Sequence, residues 1–210
     1  MIDFYTWSTP NGRKVSIMLE ECDLDYTTHK IDISKDEQFA PDFLKISPNN
    51  RIPAIVDRDT DTSLFESGAI LQYLAQKTGK FWPAEGEAHW RTTEWLMWQM
   101  GGLGPMLGQV HHFVKFNKGK APYAEERYTK EAKRLYGVLD GRLADNEFVA
   151  GSDYTIADMS IWPWISRFEW QGIDMNQFEN VARWYKTIAE RPAVQRGYHI
   201  PVEQPGIPMP

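Results

Sequence analysis

The first eighty residues alternate between two hydrophobic periods. IDFY (2–5) is a short apolar run of the kind that forms a buried strand. The turn-like STPNG follows. RKVSIMLEEC (13–22) then places Val15, Met18, Leu19 and Cys22 at spacings of three and four, which predicts an amphipathic helix. YTTHKI (26–31) is rich in β-branched residues and predicts a second strand. PDFLKI (41–46) reads as a short helix. IPAIV (52–56) reads as a third strand entered through a proline, and SLF (63–65) as a fourth after the turn RDTDT. SGAILQYLAQKTG (67–79) carries Ile70, Leu71 and Leu74 on one face and ends at Gly79. This order of strands and helices predicts a mixed four-stranded sheet with helices packed on it. The turn-rich FWPAEGE (81–87) is the expected linker.

From position 88 the strand signals stop. Long helical patterns run through AHWRTTEWLMWQMGGLGPMLGQVHHF, AEERYTKEAKRLYGVLDGRLAD, YTIADMSIWPWISRF and NVARWYKTIAERP. Gly101, Gly102, Gly104 and Pro105 should bend or interrupt the first of them. TIAD (155–158) reads as a capping box, a structural device rather than a catalytic one. Seven of the nine tryptophans lie beyond position 89 and are expected to fill a helical core. The fold class is therefore α/β plus all-α. The first domain spans 1–80, the all-helical domain 88–200, and a proline-rich tail 201–210 is extended over the surface or disordered.

Composition narrows the function. The 210 residues are 42% hydrophobic and 25% charged, with a net charge of -6, an ordinary globular balance. The acidic balance argues against a general binder of nucleic acid or anionic membrane. The one cysteine, Cys22, forms neither an intramolecular disulfide nor a thiolate metal cluster, which points to a reducing, cytoplasmic compartment. MIDFYTWSTPNGRKV shows no signal-peptide pattern, and no apolar run is long enough to cross a bilayer.

Three places could carry chemistry. Ile52-Pro53 opens a strand with a residue that cannot join a ladder. It is either a simple entry turn or an exposed backbone edge on which a short peptide could pair. Glu66 and Ser67 stand before a helix. They are either a plain cap with a solvated carboxylate, or a site where the helix N-terminus and Ser67 take a carboxylate while Glu66 takes an amine. Ser8, Thr9 and Asn11 lie in the loop after the first strand. They are either turn chemistry or donors for a thiolate.

The same residues carry a family resemblance. SPNNRIPAIVD and LFESGAILQYL are similar to the two glutathione-binding segments of the glutathione transferase superfamily, and the likeness runs to about Arg196. TPNG, ISPNN and GGLGPMLGQVHHF resemble the bacterial nu class, relatives of the fungal prion nitrogen regulator. The resemblance implies a thioredoxin-like first domain, a homodimer, and glutathione or its disulfide as ligand and co-substrate, with no metal. It also implies a small disulfide or electrophile as second substrate, with disulfide reduction ahead of conjugation. By likeness of position, Thr9, Asn11 and Ser8 lie near the thiol, and Gln38 near the glycyl end. Ile52, between Arg51 and Pro53, supplies backbone pairing, and Glu66 and Ser67 hold the γ-glutamyl end. Arg127 reaches the ligand from the helical half, with Arg134 close by as its competitor. Two departures stand out. Tyr5 falls inside the first strand, which counts against tyrosine-type thiol activation, and no CxxC pair exists. Cys22 is expected to be inert, so the redox sulfur is that of glutathione.

Overall fold

The structure, a computed structural model, describes residues 1–210. The elements run β1 (Ile2–Thr6), α1 (Pro10–Cys22), β2 (Tyr26–Lys30), α2 (Pro41–Ile46), β3 (Ala54–Asp57), β4 (Thr62–Phe65) and α3 (Ser67–Thr78). Helices follow: α4 (Gly86–Trp98), α5 (Gly104–Val110), α6 (Pro122–Ala144), α7 (Ile156–Ile165), α8 (Phe168–Gln171), α9 (Glu179–Ala189) and α10 (Pro192–Tyr198). They form two compact units. One is Met1–Trp82 with Glu190–Ile207, and the other is Pro83–Ala189 with Pro208–Pro210.

In the first unit the sheet order is β2-β1-β3-β4. β1 is parallel to β2 and antiparallel to β3, and β3 is antiparallel to β4, so the sheet is mixed as the element order predicted. Ile2, Phe4 and Ile55 of the sheet are buried, as are Val15, Met18 and Leu19 of α1 and Ile70, Leu71 and Leu74 of α3. Burying such side chains contributes about 1.5–3 kcal/mol each. Thr9 caps α1: its side chain accepts the Gly12 N–H at 3.1 Å, and Pro10 follows at the first helical position. Gly12 is required by space. A Cβ there would lie 2.4 Å from the Trp7 carbonyl oxygen and 2.5 Å from Thr6 Oγ1.

The expected extent of the helical domain, 88–200, is corrected at its far end. Helix α10 belongs with the first unit and packs on α1. The Ser16 hydroxyl donates to the Gly197 carbonyl at 2.6 Å, and a Cβ on Gly197 would come within 2.8 Å of the Ile17 nitrogen. Arg191 pairs with Glu21 at 2.6 Å and Arg196 with Glu20 at 2.6 Å. Helical periodicity shows that 192–198 is a helix with a buried face, but not which unit that face meets. The tail then runs on without regular structure. The Gln204 amide N–H reaches His199 Nδ1 at 3.3 Å, and the Pro208 carbonyl accepts the Tyr185 hydroxyl at 2.7 Å.

The second unit is all-helical. Two π-helical turns, 99–103 and 111–116, flank α5, and the first contains Gly101 and Gly102 where a break was expected. Trp162 and Trp184 are fully buried, whereas Trp90 is 67% exposed and fills no core. The capping box at α7 is present. Asp158 also accepts from Trp184 Nε1 and the Val149 N–H, each at 2.9 Å, and burial raises its carboxyl to about 6.

Candidate functional site

The sheet register gathers the site. Tyr5 pairs with Ala54, and Ala54 with Phe65. The loop after β1, the entry to β3 and the segment leaving β4 therefore lie at one end of the sheet. Thr6 pairs with Lys30 at that same end, and the chain leaves β2 there toward Gln38. While Gln38 lies further along the chain that leaves β2, Ser8, Thr9 and Asn11, Arg51, Ile52 and Pro53, and Glu66 and Ser67 thus come from three loops at one end of the sheet. This is where strands end and helices α1 and α3 begin, the usual place for a ligand in an α/β sheet.

Each loop is held by local chemistry. The Thr9 oxygen accepts from Gly12, which leaves its O–H to donate outward. Asn11 is half-buried in the first turn of α1. Ser8 lies 3.5 Å from the Gln204 side-chain nitrogen, so the tail reaches this loop. At the β3 entry the Ile52-Pro53 peptide is cis, and Ile52 stands two residues ahead of the strand, outside its ladder. Ser47, buried, fixes that approach. Its hydroxyl donates to the Arg51 carbonyl at 2.8 Å and accepts the Arg51 N–H at 3.4 Å. The Arg51 side chain is exposed and reaches only Asn50 Oδ1, at 3.4 Å.

The front of α3 differs from the expected cap. Ser67 is the first helical residue, and Glu66 occupies the N-cap position at φ 71° without a side-chain capping bond. A non-glycine residue in that region is strained, and such strain collects at functional sites. Glu66 points its carboxylate to solvent, while Ser67 is buried. Beneath Ser67 lies Lys14 of α1, 1% exposed, whose Nζ donates to Ser67 Oγ at 3.2 Å. Burial lowers this ammonium to about 7, against the opposing pull of the Glu66 charge. Lys14 and Ser47 were missed from sequence. Lys14 stands one turn before Met18, so the helical period already set a lysine on the buried face of α1.

Gln38 is 8% exposed on a short 3-10 turn, and its Oε1 is buried with no protein donor. Such an acceptor suits a ligand N–H. Arg127 is exposed on α6 in the second unit. It lines a cleft of about 580 Å³ with Met106, Tyr123, Tyr128, Glu131 and Arg134. Arg134 is committed to Glu131 by two bonds of 2.8 and 2.7 Å, whereas Arg127 makes no ion pair. Tyr5 stacks on His29 at 4.5 Å, and burial raises its phenol. Cys22 is buried against Met18 and Thr78 at the far end of α1, and burial raises its thiol.

Known proteins match along nearly the whole chain. Residues 2–76 match the family described as glutathione S-transferase, N-terminal domain, and residues 103–192 the corresponding C-terminal domain. The disulfide-bond oxidoreductase YfcG of Escherichia coli K12 is 50% identical over 198 residues, covering 92% of both chains. YghU of the same organism, also named a disulfide-bond oxidoreductase, is 41% identical, over 93% of this chain and 73% of its own. A glutathione transferase family member from Pseudomonas fluorescens, solved with two glutathione molecules bound, superposes with a TM-score of 0.89 at 46% identity, over 95% of this chain and 93% of that one.

Proposed function

Because the chain belongs to the glutathione S-transferase family, we propose that it is a glutathione-dependent disulfide-bond reductase whose nucleophile is the glutathione thiolate. The observation that supports this reading is the strand register, by which the loops bearing Thr9, Ile52 and Ser67 leave the same end of the sheet. A tripeptide fits these points in order. The γ-glutamyl end lies on Glu66 and Ser67, and the cysteinyl backbone pairs with Ile52 beside Arg51 and Pro53. The glycyl end lies near Gln38, and the sulfur lies at Thr9, with Asn11 and Ser8 beside it. The family resemblance implies that Arg127 of α6 also reaches the ligand, from its own chain or from a second copy, with Arg134, paired to Glu131, as its competitor.

The chemistry follows from the donors. A free thiol with a pKa near ~8.5 is only slightly ionised at neutral pH. The Thr9 O–H, the Asn11 amide and the positive end of α1 stabilise the charged form and raise that fraction. The thiolate attacks one sulfur of a disulfide, the S–S bond breaks, and the second sulfur leaves as a thiolate that takes a proton. A second glutathione resolves the mixed disulfide, so two glutathione thiols are oxidised to glutathione disulfide and one substrate disulfide is reduced to two thiols. The reading is supported by the two glutathione molecules in the Pseudomonas fluorescens relative and by the name of YfcG. Cys22 is buried at the far end of α1, so Cys22→Ala should retain the wild-type rate of disulfide reduction in a glutathione-coupled assay. A reductase drawing on reduced glutathione fits the cytoplasm, and the family resemblance implies that it works as a homodimer.

The deciding assay sets bis(2-hydroxyethyl) disulfide beside 1-chloro-2,4-dinitrobenzene, each with glutathione. Faster turnover of the disulfide is expected. Faster turnover of the aryl halide makes the protein a conjugating transferase. Tight glutathione binding with neither reaction makes it a regulator.

A further inference from the structure

The strand register puts one more charge at the end of the sheet that bears the Thr9 loop. Lys30 closes β2 and pairs with Thr6, the last residue of β1. The strands are joined once more where the Ile31 N–H donates to the Thr6 carbonyl at 3.0 Å. Trp7 follows Thr6, and its carbonyl accepts the Thr9 N–H at 2.7 Å, a tight turn that keeps Trp7 and Thr9 together. The Lys30 Nζ lies 4.9 Å from the centre of the half-buried Trp7 ring. An aromatic face attracts an ammonium and fixes its place, but leaves its charge uncancelled. Lys30 is exposed and makes no ion pair. The carboxylates on the chain that leaves β2 are engaged elsewhere. Asp32 is 6% exposed and holds the Ser34 hydroxyl at 2.6 Å and Lys35 at 3.6 Å. Glu37 accepts the Asp32 N–H at 2.6 Å, and Asp36 accepts the Gln38 side-chain N–H at 3.4 Å. A cation held on an aromatic face, with no counter-charge, thus stands beside the loop that carries Ser8, Thr9 and Asn11.

We propose that Lys30, held on Trp7, is a specificity-determining residue that selects anionic disulfides as the second substrate. This rests on the reading that a glutathione thiolate forms at Thr9. The class is that of disulfides with a carboxylate close to the sulfurs, and it includes mixed disulfides of glutathione, whose glutathionyl group carries two carboxylates. Trp7 supplies apolar surface for the carbon chain, and Lys30 supplies the charge for the carboxylate. Lys30 neither gives nor takes a proton, and the bonds made and broken are those of the exchange already described. Range explains how one lysine can decide in an acidic protein. The net charge of -6 repels anions at long range. At physiological salt such fields fade beyond about 8 Å, while a carboxylate against Lys30 lies within that distance. A cationic disulfide meets the same ammonium as a repulsion, so one residue contributes to selectivity twice.

Three disulfides of nearly equal length separate charge from shape. Dithiodipropionate is a dianion, cystamine a dication, and bis(2-hydroxyethyl) disulfide is neutral. For each, kcat/KM of the full-length protein with glutathione is divided by the rate constant of the uncatalysed exchange, which removes the intrinsic repulsion between glutathione and an anion. In wild type the dianion should exceed the dication by roughly five- to tenfold, with the neutral disulfide between them and the difference carried by KM. Salt at about 0.5 M should bring this ratio close to one. Lys30→Met should do the same at low salt, Lys30→Glu should invert the order, and Lys30→Arg should keep it. A wild-type ratio at or below one overturns the proposal and leaves the glutathione reading standing. This result needs no variant, so a misfolded Lys30→Met does not block the test. A ratio above one that persists in a folded Lys30→Met, or that salt does not reduce, overturns the proposal too. No turnover of any of the three disulfides overturns the reductase reading and the proposal with it.

Discussion

Two residues divide the proposed work between grip and reactivity. Ser67 is buried at the first turn of α3 and faces an ammonium, so its hydroxyl is oriented before any ligand arrives. Ser67→Ala removes a hydrogen bond to a charged carboxylate, worth about 1.5–3 kcal/mol. Calorimetry should show glutathione affinity falling by roughly tenfold or more, with the helix intact because Ser67 is not its cap. Thr9 differs in kind. Its oxygen caps α1, so Thr9→Val removes both the cap, about 1 kcal/mol of stability, and the proposed donor to sulfur. Thr9→Ser keeps both. The Val variant should lose about tenfold in kcat/KM, since one pKa unit of thiolate stabilisation is about 1.36 kcal/mol, while glutathione affinity changes less. Equal rates for Thr9→Val and Thr9→Ser would move the sulfur to Asn11 or Ser8.

At the scale of elements, most of the first unit was legible because each strand and helix carries its own period. The start of α1 at Pro10 rather than 13 was hidden, because TPNG has turn composition although Thr-Pro is also a cap followed by a first helical residue. Serine suits an N-cap, so the sequence predicts Ser67 there, but the chain places Glu66 at that position with positive φ, which no propensity favours. The burial of Lys14 is not legible in the sequence, because α1 is buried on nearly all sides and composition alone does not say that a lysine lies inside. That helix α10 packs with the first unit is not legible in the sequence, because long-range packing leaves no local sign. Gly197 tests that packing. A Cβ there would meet the backbone of Ser16 and Ile17 at 2.8–3.0 Å, where no flexible side chain can yield. Gly197→Ala should push α10 off α1 and destabilise the first unit by about 1–3 kcal/mol, read as a lower thermal midpoint. An unchanged midpoint would mean that the helix crossing is loose.

At the scale of the whole molecule, the family resemblance implies a second copy of the chain, and α4 offers a place for it. Trp90 and Met97 are 67% and 48% exposed. Seven residues apart, they stand two turns along one face of the helix. Two large apolar side chains left to solvent on one helix face mark a candidate interaction surface. A closed two-fold pair uses the same patch on both partners, so one substitution acts twice. Trp90→Glu places a carboxylate on that patch in each copy. Sedimentation should give wild type twice the 24.4 kDa chain mass and give the variant a dimer dissociation constant at least tenfold higher. Apart from Arg127, the residues proposed to hold glutathione lie in loops of the first unit, so Ser67-dependent affinity should survive in Trp90→Glu at dilutions where it is monomeric. Arg127 lies on α6 in the second unit, and its contribution separates two arrangements. If Arg127→Ala weakens glutathione binding in wild type but not in the monomer, the arginine acts across the pair. If it weakens both alike, it acts within its own chain. A Trp90→Glu protein that remains wholly dimeric would place the interface on another face.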